Sequence, residues 1–490
     1  MFLLALVACG VELEALPDPS DWSATGPGLG PVDAPVGQAC AFLMGGEGED
    51  EHHNLVVMHD GYLLMPWAPE WGNGGLSFFD MSDPCAPVVV GEAWGSAMRE
   101  THTLAFGVVD DREYLAVDSI RDEGDRGGIG LWDVTDRGHP EWVSELDLPG
   151  FRYPEAYFNV SLSTFWQGDE LYVSSGLLGT FVVDVSDPLN PALLADQGVN
   201  TLEQVAGSLH VIGDVAMASS AGTARTVLWD LSAPGVFEPI SGGDWDTRDD
   251  QGVLRPYYFA NVGGRYGLFA RKNEGGGPIV YDISEPGQPT WVAALHAPEG
   301  DGGYVFRHED LLFQGESNFA SVYDFSDPSD LRELQRFDLQ GDLDTITPIG
   351  PLAVLAVDEK GEPGRPTAVV PWSEAPDERG PVVDLTFPQD GDLRVPLTAR
   401  VGLSFDELLE SASVHRGSVR VWDQYGQAVP GRFNVQESIV NFTPDEVLLA
   451  ETTYFVEVPA DGVADSAWNG TAATWRSRFS TGETLEEWPE

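Results

Sequence analysis

One phrase returns along the whole chain. TFVVDVSDPLNP at 180–191 is echoed by LSFFDMSDPCAP (76–87), IGLWDVTDRGHP (129–140), TVLWDLSAPGVF (226–237), PIVYDISEPGQP (278–289) and ASVYDFSDPSDL (320–331). A degenerate seventh copy, TAVVPWSEAPDE (367–378), fits the same frame. The shared Asp falls at Asp80, Asp133, Asp184, Asp230, Asp282 and Asp324, and Pro371 replaces it in the last copy, giving spacings of 53, 51, 46, 52, 42 and 47. Self-similarity at this period restricts the chain to repeat architectures, in which identical units stack to bury a core that none can build alone. It also explains how 490 residues are organised without a series of unrelated domains.

Each kernel carries its own mechanism. Apolar, β-branched and aromatic residues precede the Asp, as a buried strand requires. Ser/Thr-Asp-Pro then ends the strand, because the short polar side chains bond nearby backbone and Pro pre-sets φ for a turn. Pro87, Pro140, Pro191 and Pro289 follow seven residues after the Asp, where an edge strand tolerates proline and uses it against edge-to-edge pairing. Two further strand-like segments lie upstream of the kernels, for example NLVVMHDGYLLMPW (54–67) and THTLAFGVVDDREYLAV (101–117). One period therefore holds about four strands, the content of a propeller blade. The expected fold class is all-β: a seven-bladed β-propeller followed by an Ig-like β-sandwich. VGQACAFLMG (36–45) is placed to supply the strand that closes the last blade.

The kernels resemble the LVIVD repeat found in secreted and lipid-anchored bacterial β-propellers, over roughly residues 50–376. That family is defined by its repeat and not by an activity. From Pro381 the pattern changes to about seven alternating strands in 100 residues, the outline of an Ig-like sandwich. Phe405-Asp406, Phe442-Thr443-Pro444, Thr453-Tyr454, Gly462-Val463-Ala464-Asp465 and Phe479-Ser480-Thr481 are similar to the bacterial Ig-like domains of surface-layer and adhesin-type proteins. The resemblance implies a spacer or contact module.

The N-terminal Met1-Phe-Leu-Leu-Ala-Leu-Val-Ala-Cys9-Gly10 contains an apolar run far shorter than the about 20 residues that span a bilayer. It reads as a secretory h-region. Leu6-Val7-Ala8-Cys9 resembles the bacterial lipobox, which implies a diacylated Cys9; no Lys or Arg precedes the run, a departure from the pattern. Gly10, rather than Asp, points by that analogy to the outer membrane. The expected organisation is a lipoprotein signal peptide over 1–9, a Pro/Gly-rich tether over 10–35, the propeller over 36–378, the Ig-like domain over 379–482 and an acidic tail over 483–490. With Cys9 lipidated, Cys40 and Cys85 remain as an even pair in an oxidising compartment, either as a disulfide or as two buried thiols.

Composition excludes one class of partner. With 80 Asp+Glu against 25 Lys+Arg, a formal charge of −55, the chain repels phosphate backbones, so no nucleic acid is expected. No motif here performs catalysis by itself. Aligning the repeats brings out one constellation: Glu51, Glu100, Glu155, Glu203, Arg255, Asp301 and Asp344 each precede the inner strand of a blade. Six acids and one Arg there form a carboxylate ring at the channel rim, able to hold Ca²⁺ or another divalent cation through oxygen ligands. His53 and His102, two residues beyond Glu51 and Glu100, would suit a transition metal; the alternative is a solvated acidic rim. Among the fifteen tryptophans, Trp132, Trp229 and Trp291 lie in or beside kernels and read as packing, whereas Trp166 and Trp245 read as exposed loop residues. The leading expectation is a lipid-anchored binding or interaction scaffold whose partners are the membrane, through its lipid, and an unknown protein or glycan. The alternative is a metal-dependent, lactonase-like propeller hydrolase using the ring and the two histidines. A third reading is an envelope protein stabilised by calcium.

Overall fold

The computed structural model describes residues 24–46, 53–67, 74–98, 101–120, 126–151, 163–175, 178–199, 207–220, 223–233 and 235–488. Seven four-stranded antiparallel sheets form a propeller, and a sandwich of a four-stranded and a three-stranded sheet follows. The inner strands of blades 1 to 7 are Val57–His59, Ala105–Val109, Ser163–Gln167, Leu209–Ile212, Tyr257–Gly263, Val305–His308 and Thr345–Ile349. The kernels form the third strand of each blade, ending at the repeated Asp.

That Asp works identically in all six copies. Its Oδ1 accepts the backbone N–H two residues on, from Ser82, Thr135, Ser186, Ser232, Ser284 and Ser326, at 2.8, 3.0, 2.9, 2.8, 2.9 and 3.0 Å. The side chain thus takes over the donor that the strand can no longer satisfy, and the chain turns. Blade 7 has no such carboxylate at Pro371, and its fourth strand comes from elsewhere. Ala41–Leu43 pairs antiparallel with Thr367–Pro371, so the N-terminal side of the propeller closes the last blade. Cys40, beside that closing strand, is disulfide-bonded to Cys85 in the turn of blade 1, with Cα atoms 4.9 Å apart. A cross-link over a sequence separation of 45 removes loop-closure entropy from the unfolded chain, on the order of 3–4 kcal/mol in the chain-entropy picture. It fastens the join of the ring.

The described half of the tether is not a free spacer. Residues 24–35 lie along blade 1, where Gly26 and Gly28 donate to the carbonyls of Asp60 and Gly61 at 3.1 Å and Gly30 donates to Met81 at 2.9 Å. These approaches need glycine: a Cβ at Gly30 would stand 1.9 Å from the Ser82 carbonyl oxygen. Polarity and proline content suggested a linker, but the glycine N–H groups find turn carbonyls that would otherwise go unpaired.

The Ig-like unit pairs Val383–Phe387, Val401–Phe405, Ile439–Pro444 and Gly431–Gln436 in one sheet, and Arg420–Asp423, Thr453–Val458 and Trp475–Ser480 in the other. Val401, Leu403, Phe405, Phe442, Tyr454, Val456 and Phe479 fill the space between them. Three tryptophan expectations are corrected. Trp166 belongs to the inner strand of blade 3, is 1% exposed, and donates from Nε1 to the Gly168 carbonyl at 3.0 Å. Trp245 sits in the strand Glu238–Asp246 and packs edge-on to Phe269. Trp291 is the exposed one, at 45%, because the fourth strand of its blade faces water.

Candidate functional site: the propeller channel and its Ig-like cap

Each inner strand ends in a tight turn on one side of the propeller. The Ig-like sheet sits on those tight turns. Asn434 accepts from the Gly168 N–H at 2.9 Å and donates to the Phe106 carbonyl at 3.2 Å. Gln436 donates to Thr164 at 3.0 Å, and Ser438 donates to Val262 at 2.7 Å. Asn441 accepts from Gly213 at 2.7 Å and donates to Val211 at 2.8 Å. Four buried polar side chains of one sheet thereby satisfy backbone groups of blades 2 to 5, as buried polar atoms must be satisfied. Gly402 lies so close to Gly213 that a Cβ on it would stand 1.9 Å from the Gly213 nitrogen. Side chains on that part of the Ig-like sheet would hold it away.

Charge is matched across most of this junction. Arg400 donates to Asp214 at 2.7 Å, Glu170 at 3.1 Å, the Tyr172 hydroxyl at 2.8 Å and the Leu231 carbonyl at 3.1 Å. Burial opposes its charge, but the acidic partners raise its pKa well above the usual value. Asp384 receives Arg265 and Arg307, each at 2.9 Å; burial works against its ionisation, and the two guanidinium groups hold its pKa below the usual value. Beside blades 1 and 2 a cleft of about 350 Å³ opens against the cap. On its wall His59 stacks on Phe106 at 3.6 Å, and its Nε2 lies 2.7 Å from Oε1 of Glu113. Arg137 pairs with Glu113 and, at 3.1 Å, with Asp60. Despite burial, His59 and Arg137 bring the Glu113 carboxyl down to about 2.

Aromatic side chains of blades 5 and 6 reach across the propeller to blade 2. Phe259 of blade 5 stacks on Tyr304 of blade 6 at 4.0 Å. The Tyr304 hydroxyl donates to the His102 carbonyl of blade 2 at 2.8 Å, so the bond spans the ring of blades. The His102 and Phe259 rings are 5.6 Å apart.

The proposed ring residues are placed as follows. Glu51, Glu100, Glu155 and Glu203 lie outside the described residues, as does Cys9. His53 is buried, with Nδ1 2.5 Å from the Thr367 hydroxyl. Nδ1 of His102 is 3.8 Å from Oδ2 of Asp118 in its own blade. In blades 5 to 7 the countercharge comes from the chain itself. Arg255 pairs with Asp249 at 2.6 Å and Glu274 at 2.9 Å. Lys272 lies over Tyr258 with Nζ 3.7 Å from Asp301. Burial opposes the Lys272 charge, but Asp344, Asp301, Asp342 and Asp358 raise its pKa above the usual value. Among the described residues the ring members do not converge as three donors on one point. Sequence reasoning missed Lys272, Arg400, Phe259 and Tyr304.

Residues 377–481 match the sequence profile of the bacterial Ig-like domain family. No curated protein matches the chain. Among solved structures, the β-propeller domain of a Myceliophteria thermophila protein is 12% identical, covering 68% of this chain and 98% of that one, at a TM-score of 0.49. The periplasmic gluconolactonase of Pseudomonas aeruginosa is 11% identical over 66% of this chain and 89% of its own, at 0.47. A putative 6-phosphogluconolactonase from Bacteroides uniformis is 12% identical over 57% and 83%, at 0.46. The chain thus joins a β-propeller to a C-terminal bacterial Ig-like domain.

Proposed function

We propose that this protein is an extracytoplasmic binding scaffold of the bacterial envelope: an LVIVD-type propeller, anchored to the outer membrane by lipid on Cys9, that holds a protein or glycan partner. The observation that carries this reading is the cap: one end of the propeller is covered by the Ig-like sheet through buried polar bonds. This supports a binding surface at the end turned away from the cap. Binding surfaces are commonly built from loops held on a rigid scaffold.

Two measurements test it. Cells producing the full chain should incorporate labelled palmitate and retain the protein in the membrane fraction, and Cys9→Ser should abolish both. A photo-crosslinker attached at Asp301→Cys, on the entry end, should capture an envelope component that the same probe at Asp330→Cys, in a kernel turn on the cap side, does not. Equal capture from the two ends would overturn the assignment of the binding face.

A further inference from the structure

At the blade 6 side of the cap, three side chains from three segments converge without the matched countercharge seen elsewhere. His308 ends the inner strand Val305–His308, Asp377 lies in the passage into the Ig-like domain, and Glu407 follows the strand Val401–Phe405. Nδ1 of His308 is 3.1 Å from Oε2 of Glu407, and Nε2 is 3.6 Å from Oδ2 of Asp377. One donor atom from each residue lies within 4.8 Å of the other two.

The second observation is the state of the carboxylates. Glu407 is 0% exposed, yet neither of its oxygens accepts a hydrogen bond, and Oδ2 of Asp377 accepts none either. The His308–Glu407 approach is close but lacks the alignment of a hydrogen bond. Arg379, the nearest guanidinium, is half-exposed and directed at Glu309 at 3.1 Å and Asp310 at 2.9 Å. The Asp465 oxygens accept from the N–H groups of Ala467 and Asn469 and from the Asn469 side-chain amide within its own turn. Buried carboxylates are stable when paired, protonated or bound to metal. Elsewhere at this junction the chain supplies arginines, at Arg400, Arg265 and Arg307.

We infer that His308, Asp377 and Glu407 form a divalent-metal site that fastens the Ig-like domain to blade 6. One imidazole and two carboxylates suit Zn²⁺ or Mn²⁺. Bonds of about 2.0–2.2 Å to zinc draw the three donors inward, tying the inner strand, the interdomain passage and the Ig-like loop to one ion. The site is separate from the entry-end ring and independent of the binding reading.

The test uses the full chain, stripped with a chelator and titrated with Zn²⁺ and with Mn²⁺, followed by calorimetry, elemental analysis and thermal melts. One equivalent should bind per chain, and the midpoint should rise with the logarithm of free metal above the dissociation constant. Glu407→Gln should weaken binding by about 100-fold or more while leaving the metal-free midpoint unchanged or higher, because it removes a buried carboxyl whose oxygens have no hydrogen-bond partner. His308→Gln should likewise lose the metal response, and Asp301→Asn at the entry end should keep it. No stoichiometric binding of either metal by the wild-type chain overturns the inference, as does full retention of binding in both Glu407→Gln and His308→Gln. Loss of binding in Asp301→Asn alone overturns it too, by placing the ion at the other end.

Discussion

The two sides of the Ig-like cap bury the same residue types with opposite outcomes. Beside blades 1 to 4, Glu113 meets His59 and Arg137, and Arg400 meets Asp214 and Glu170, so these three carboxylates have a cation of the chain. Beside blade 6, Glu407 and Asp377 share one histidine, and burial together with Asp406, Asp377 and Glu309 drives the Glu407 pKa well above the usual range. Higher in blade 6, Glu316 is also buried without a cation in bonding reach: it accepts from Tyr323 at 2.7 Å, Gln314 at 3.0 Å and Gly277 at 3.2 Å. Burial pushes its pKa up to about 8. A fixed positive group within bonding distance outweighs burial at Glu113; at Asp214 burial still raises the pKa against Arg400, and at Glu316 hydrogen bonds alone do not outweigh desolvation.

The largest effect should come from breaking the matched side. Arg400→Ala leaves Asp214 and Glu170 buried without their cation and should cost about 3–5 kcal/mol in chemical denaturation; a loss comparable to that of an exposed arginine would show that the matching is unimportant. Next comes the unmatched side. The folded state keeps a proton on Glu316 that the unfolded chain releases between about pH 4.5 and 8. Stability from this group is therefore full below pH 4.5 and falls as pH rises through that window, on the order of 5 kcal/mol. Glu316→Gln should flatten the decline, read as melting midpoints from pH 5 to 9. Glu113 has the reverse sign. With its folded pKa near 2, it contributes stability above about pH 4.5 that disappears as pH falls towards 2, about 2–3 kcal/mol. Acid titration of Glu113→Gln should show a shallower loss than the wild type; an identical curve would separate Glu113 from the network around it. The smallest effect is expected at Arg394, whose two bonds to Glu483 lie in solvent. Arg394→Ala should leave the midpoint where it was, because water and salt screen such a pair.

Much of the architecture was legible because it is local. The kernel Asp binds an N–H two residues away, so each copy carries its own turn instruction, and the period counts the blades. The Ig-like strands announced themselves by alternation, for Val401–Phe405 and Thr453–Val458 as for the rest. Trp166 read as a loop residue because no apolar alternation sets off the short inner strand Ser163–Gln167 that holds it. The ring of acids was found by alignment, but the lysine placed among its blade 5 to 7 members belongs to a different loop, and nothing in the repeat marks it.

The sequence by itself determined the repeat, its turns and the change of register at the Ig-like domain, because strand periodicity and turn chemistry act over a few residues. The tertiary structure decided that the two units are joined face to face and which buried acids meet a cation. Asn441 meets Gly213 and Arg400 meets Asp214 across 228 and 186 residues. Glu407, in turn, is left facing His308. Charge matching of that kind depends on which turns the folded sheets bring together, and a carboxylate reads the same in a sequence whether its partner is water, an arginine or an ion.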